Sequence, residues 1–167
     1  RKEKVSQTIE SILNQKCDFD FELIIGDDFS TDGVQDVLTN YYYKYPEHIV
    51  LQLHEENLGL GANWATSVLY SRGKYIANCD NDDYWHNPQK LQLQVDFMES
   101  NTEYGLCHTD YRIHNRDTNN IFEVRCENST KPEVSQLTSI LNGYFKCCNA
   151  SVLYRKEILS LVSLNNS

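Results

Sequence analysis

Seven residues in the middle of the chain, CDNDDYW from Cys79 to Trp85, put three carboxylates within four positions, directly after the apolar, strand-like run KYIA. Two carboxylates about 4 Å apart repel by about 1 kcal/mol in bulk water and by about 4 kcal/mol at the effective dielectric near a protein surface. Asp80, Asp82 and Asp83 therefore need an offset, which protonation, a neighbouring Lys or Arg, or a bound cation could supply. Arg72 and Lys74 stand at the opposite end of the same strand, Lys74 about 20 Å from Asp80 at about 3.3 Å per residue. A hard divalent metal that prefers carboxylate oxygens is the better offset. The competing reading is a solvated acidic turn that also caps the next helix.

A second acid pair, Asp27-Asp28, follows the apolar run FELII, Phe21 to Ile25. The pattern around both clusters sets their placement. Val5, Ile9, Ile12 and Leu13 recur at helical spacing. After FELII, the segment Ser30-Thr31-Asp32 can cap a helix carrying Val34, Val37, Leu38 and Tyr41, which Pro46 ends. IVLQL, Ile49 to Leu53, reads as a strand and HEENLGLG, His54 to Gly61, as a loop. A helix through Trp64, Val68 and Tyr70 then stops at Arg72-Gly73, a C-terminal glycine.

KYIA, Lys74 to Ala77, is the next strand. Pro88 suits the first turn of a helix with Leu91, Val95 and Met98 on one face. GLCHT, Gly105 to Thr109, reads as a strand, and YRIHN and IFEVRC as a hairpin around RDTNN. A helix through Val134, Leu137, Ile140 and Leu141 and a late strand SVLYR, Ser151 to Arg155, complete the pattern. Strands alternating with helices imply an α/β sandwich around a mostly parallel sheet with helices on both faces and a small hairpin addition. Ligands of such sheets bind beyond the carboxyl ends of the strands, so the two acidic clusters should meet on one rim.

With 167 residues the chain can enclose one domain with a core, and 40% hydrophobic with 23% charged residues is the ordinary balance of a globular protein. No apolar run approaches 18 residues and no signal-peptide pattern opens the chain, so no membrane span is expected. A net charge of -9 disfavours nucleic acid as partner. The six cysteines, at 17, 79, 107, 126, 147 and 148, form no CxxC pair and match no zinc spacing. They read as reduced thiols of a cytoplasmic protein, where the sequons at Asn128 and Asn149 carry no weight. The sequence sets no oligomeric state.

These segments together resemble the family 2 glycosyltransferases of the GT-A, Rossmann-like fold. ELIIGDDFSTDG is similar to that family's second strand with its nucleotide-binding acid pair. EENLGLGANWATSVLYSRGKYIANCDNDDYW is similar to the following Asn-x-Gly loop, helix, glycine turn and strand, ending in the metal-binding Asp-x-Asp. NPQKLQLQVDFME and YGLCHTDYRIHN continue the match. The resemblance implies a single bacterial GT-A domain over 1–167 that binds a nucleotide-sugar, a UDP-sugar first among donors. It implies that Asp28, with Asp27 beside it, contacts the base, that Asn57 and Gly61 line the nucleotide, and that Asp80 faces the ribose and the metal. Asp82 with Asp80 would ligate Mn²⁺ or Mg²⁺ bridging the diphosphate, and Asp83 would organise the loop or cap the next helix.

The implied reaction is inverting transfer to an acceptor hydroxyl in cell-surface polysaccharide or glycolipid synthesis. It would take place in the cytoplasm or at the inner face of the membrane, with any membrane association running through the acceptor. The family's first apolar strand and its acidic base, which follows the segment similar to SVLYRKEIL, are expected outside this sequence, leaving the catalytic residue unknown. Asp110, at a strand end, reads as a structural or acceptor-side residue, with service as the base the lesser alternative; His108 alternates with it on a strand, facing the same side, and reads as a structural histidine. Tyr84 and Trp85 read as stacking platforms or core, and YYYKY as packing.

A receiver-type phosphoacceptor domain is the rival from another class, with Asp27-Asp28, Thr109 and Lys131-Pro132 in its key positions. No apolar strand leads into Lys131, and that reading leaves Asp82 and the ENLGLGAN loop without a purpose. An inactive nucleotide-sugar-binding relic is the third reading. A calcium loop starting at Asp80 fails, because Trp85 holds the sharp-turn glycine position and Leu91 that of the bidentate Glu.

Overall fold

The computed structural model describes residues 2–115, 118–124 and 148–159. The helix expected through Val134 to Leu141, the Lys131-Pro132 pair, Cys126, Cys147 and Asn128 lie outside the described residues. In order, the elements are α1 (Lys2–Leu13), β1 (Leu23–Asp27), α2 (Val34–Lys44), β2 (Ile49–Leu53), α3 (Leu60–Tyr70) and β3 (Tyr75–Ala77). There follow α4 (Lys90–Ser100), β4 (Leu106–His108), β5 (Tyr111–Asn115), β6 (Asn120–Val124), a 3-10 turn (Asn149–Ser151) and β7 (Val152–Arg155).

The parallel pair β1–β2 runs in register from Leu23 opposite Ile49 to Asp27 opposite Leu53, with α2 as the crossover that parallel strands require. β3 and β4 also share one direction, since each pairs antiparallel with β7 between them and both Ala77 and Cys107 face Leu153. β7 is thus the antiparallel member of a mixed α/β arrangement. β5 and β6 form the hairpin, turning at Asn119 with φ 53°.

Helices cover both faces of β1. Leu23 and Ile25 pack into a cluster with Val5 and Ile9 of α1 and Val34 and Leu38 of α2. Gly26 points to the other face by strand alternation, and a Cβ there would stand 2.8 Å from Ser67 Oγ of α3, so glycine is what admits that helix. A second core joins Ile12 of α1 to Trp85, Leu91 and Met98, with Leu153 of β7 at its centre. Met98 and Leu153 are fully buried, each contributing about 1.5–3 kcal/mol by removal from water. Helix α1 therefore ties the β1–β2 unit to the β3–β7–β4 unit.

Two helix ends differ from expectation. α3 stops at Tyr70 with Ser71, not Gly73, in the cap, where Ser71 donates both its N–H and its Oγ to the Val68 carbonyl. α4 begins at Lys90, after Pro88, and its Leu91 N–H is received by Gln15 Oε1 from the end of α1. A distant glutamine, Gln15, does the capping expected of the acidic turn.

Among the described strands β1 bonds only β2, and β3 bonds only β7. A cavity of about 980 Å³ lies between the two units, with Ile12, Leu23 and Ala77 at its apolar end and Asn78, Asp80 and Asn149 at its rim.

Candidate active site

The carboxyl ends of β1 and β3 come together through the start of α3. Asn63 Nδ2 donates to the Gly26 carbonyl at 3.1 Å, and the next residue, Trp64, donates its indole N–H to Asn78 Oδ1 at 3.2 Å, one position past β3. β4 ends level with β3, and β7, running the other way, starts there. The acidic segments after β1 and β3 thus share one rim.

The first segment is held by protein donors. Asp27 is 5% exposed, and its Oδ2 accepts the Ser30 N–H at 3.0 Å and Gln35 Nε2 at 2.7 Å. Asp28 accepts the Leu58 N–H on one oxygen at 2.6 Å and the Gly59 N–H on the other at 2.9 Å. Asn57 adds its amide to the Asp28 carbonyl at 3.3 Å and receives the Gly59 N–H on Oδ1. Asp28 is thereby the clasp of the ENLGLG loop.

Backbone geometry marks the same loop. Gly59 has φ 82° and ψ 157°, a region almost closed to residues with a Cβ, whereas Gly61 lies in the first turn of α3 facing open space. Sequence reasoning singled out Gly61 and missed Gly59; the signal was its position just ahead of a helix start. Phe29, beside Asp28, sits in the left-handed region at φ 63° and is half exposed. No sequence pattern announced it.

The second segment is open. Asp80, Asn81 and Asp82 are exposed, and the Asp83 N–H closes a turn onto the Asp80 carbonyl at 3.0 Å. The Asp83 carbonyl accepts Thr8 Oγ1 of α1, and Ser11 Oγ receives the Trp85 N–H at 3.0 Å, so α1 holds this loop from behind. Burial first, then the charges of Asp80 and Asp82, push the Asp83 carboxyl above the usual range. One cation does come near: Lys4 of α1, 3.7 Å from Asp82 Oδ2 and invisible to a count along the strand. At that distance and exposure it is a weak surface pair.

The donor set suits a hard cation of small demand. Among the described residues no three His, Cys, Asp or Glu side chains gather into a metal cage. Mg²⁺-type sites need none, since one or two carboxylates combine with substrate phosphates and water. Asp80 and Asp82 offer such a pair.

The remaining candidates separate cleanly. Trp85 is core, donating its indole N–H to the Ala150 carbonyl at 2.8 Å, while Tyr84 is exposed. Asp83 organises the loop and does not cap α4, whose cap position is Gln89. Asp110 lies in the link between β4 and β5, past the strand end at His108, so the two do not alternate on one strand as expected. Tyr41 and Tyr45 pack on the core, whereas Tyr42 and Tyr43 are exposed. Cys17, Cys79, Cys107 and Cys148 are free thiols. Burial raises Cys79 to about 12 and Cys107 to about 11, so neither is a nucleophile at neutral pH.

Comparison with known proteins fits this geometry. An uncharacterized protein of Mycobacterium tuberculosis (strain H37Rv) is 30% identical over 162 residues, which is 94% of this chain and 44% of that protein. The chain thus spans less than half the length of that curated relative. Staphylococcus aureus TarS (residues 1–349), solved in complex with UDP, superposes with a TM-score of 0.71 at 22% identity, covering 97% of this chain and 46% of TarS. The Pyrobaculum calidifontis mannosyltransferase PcManGT, solved with GDP-Man and Mn²⁺, gives 0.58 at 18% identity over 65% of this chain and 32% of its own. The fold is that of the GT-A glycosyltransferases. With Glycosyl transferase family 2 matched over residues 1–162, covering both acid segments and the loop between them, the chain belongs to that family.

Proposed function

We propose that this rim binds the nucleoside diphosphate of a sugar donor, a UDP-sugar first among the candidates. The parent protein would transfer the sugar to an acceptor hydroxyl with inversion, in cell-surface polysaccharide or glycolipid synthesis on the cytoplasmic side of the membrane. The observation that carries this reading is the contrast at the rim: Asp82 exposed beside Asp80, with a distant Lys4 as its one ion-pair partner among the described residues, next to a loop fastened through Asp28.

Each residue has a stated task. Asp28 keeps lone pairs to spare, since a carboxylate has about four acceptor sites and two are used here. It can accept an N–H of the base while it clasps the loop. Asp27, buried and bonded, supports the turn that presents Asp28. Asn57 shapes the loop beside the base, and Gly61, bare of a side chain, lets the nucleotide approach the start of α3. Asp80 and Asp82 would hold Mn²⁺ or Mg²⁺, Asp80 also facing the ribose. Such a cation, when bound, neutralises the charge that develops on the departing diphosphate. No base is assigned among the described residues. The family resemblance puts it beyond SVLYRKEIL.

We also read the cavity between β1 and β3 as the berth of the apolar strand that the family carries ahead of α1. A strand there would lie about 4.8 Å from each of the two edges and would satisfy backbone groups on both.

The test is calorimetric titration of UDP, GDP and dTDP with and without Mn²⁺. One nucleotide should bind only in the presence of the metal, naming the base. Failure to bind by this chain and by one lengthened at its amino end would overturn the reading. Tight binding with no turnover in the lengthened protein would favour a relic.

A further inference from the structure

Asn149 lies 69 positions after Asp80 in the chain, yet its Nδ2 donates to Asp80 Oδ1 at 3.0 Å. Its Oδ1 accepts Asn78 Nδ2 at 3.0 Å, and Asn78 Oδ1 in turn accepts the indole N–H of Trp64 at 3.2 Å. The direction of this relay is fixed at both ends. A carboxylate only accepts and an indole N–H only donates, so each amide between them has one self-consistent orientation. Reversing either amide would set two donors or two acceptors against each other.

The fold explains why Asn149 is there. β7 runs antiparallel between β3 and β4, so it starts at the edge where those strands end. The 3-10 turn that feeds it is pinned by Ser151, whose N–H and Oγ both donate to the Cys148 carbonyl, and by the Trp85 indole on the Ala150 carbonyl. Ala150 and Ser151 are buried while Asn149 projects at the rim. The residue read in sequence only as a sequon asparagine is thus held on a rigid base and aimed at an acid.

We propose that Asn149 is the positioning residue of the donor site: it fixes the Asp80 carboxylate by occupying Oδ1 and leaves Oδ2 turned to the cation. Through Asn78 it also ties that carboxylate to Trp64 and so to the start of α3, where the nucleotide loop ends. This inference rests on the nucleotide–metal reading above. It adds that a late segment of the chain completes the cation site made by an earlier one. An outer partner of this kind typically accounts for about 10- to 100-fold in metal affinity.

The experiment measures Mn²⁺ affinity by electron paramagnetic resonance, with and without the nucleotide selected by calorimetry, for the wild type, Asn149→Ala, Asn78→Ala and the double variant. Melting temperatures are recorded alongside without metal. Asn149→Ala should weaken Mn²⁺ by about tenfold or more with little change in melting temperature. Asn78→Ala should lose less, and the double variant should be no weaker than Asn149→Ala alone, because Asn78 reaches Asp80 only through Asn149. Wild-type affinity in Asn149→Ala would overturn the inference and leave the donor-site reading standing. Additive losses in the double variant would overturn the relay. Absence of Mn²⁺ binding with nucleotide, both in this chain and in one lengthened at its amino end, overturns both.

Discussion

The two acidic segments of the rim have similar sequences and opposite chemistry. Asp27 Oδ2 is engaged by Ser30 and Gln35 and the two Asp28 oxygens by Leu58 and Gly59, so these carboxylates hold protein groups in place. Among the described residues Asp82 has one distant ammonium, and burial first, then the charges of Asp80 and Asp82, raises the Asp83 pKa. Negative charge that the protein itself satisfies holds the fold first and can reach a ligand only through the lone pairs left over. Charge left facing water beside like charge is available to a ligand.

That contrast can be broken by substitution. The largest effect should come from Asp27→Ala, which strips the buried acceptor from a backbone N–H and a glutamine amide; hydrogen bonds to charged groups contribute about 1.5–3 kcal/mol each. Urea unfolding should show a loss of about 3 kcal/mol. Asp82→Ala should leave the unfolding curve within about 0.5 kcal/mol and cut metal-dependent nucleotide affinity by about 100-fold, equivalent to about 2.8 kcal/mol. Equal losses of stability from both variants would erase the distinction between the segments.

Asp83→Asn sharpens it. An acid whose folded pKa is raised destabilises the folded state once it ionises, beginning above the unfolded value of 3.8 and complete above the raised one. Removing that charge should raise the melting temperature of the metal-free protein at pH 7. The gain should vanish near pH 3, where the carboxyl is protonated in both states. The smallest effect belongs to Lys4→Met: loss of the competing ammonium should tighten Mn²⁺ binding by at most about fivefold, the equivalent of a surface pair of about 1 kcal/mol.

Much of this architecture is legible in the sequence because it depends on local period. IVLQL is β2 without adjustment, and Val5, Ile9 and Ile12 are the buried stripe of α1. Both acid segments fall at strand ends on one rim, as alternation of strands and helices requires. What the sequence hides are partners supplied from far along the chain. Leu58 and Gly59 come to Asp28 from 30 and 31 positions away, and Asn149 comes to Asp80 from 69. Lys4 reaches Asp82 from another helix. The direction of β7 is hidden for a related reason, since a strand buried on both faces reads as the same apolar run whichever way it points.

The most direct test of the central claim is one Mn²⁺ titration in the presence of the selected nucleoside diphosphate, run on the wild type, Asp82→Ala and Asp27→Ala at a temperature where all three are folded. The account predicts binding by the wild type, loss in Asp82→Ala and retention in folded Asp27→Ala. Binding that survives in Asp82→Ala but disappears in folded Asp27→Ala would place the cation at the other acid pair and contradict it.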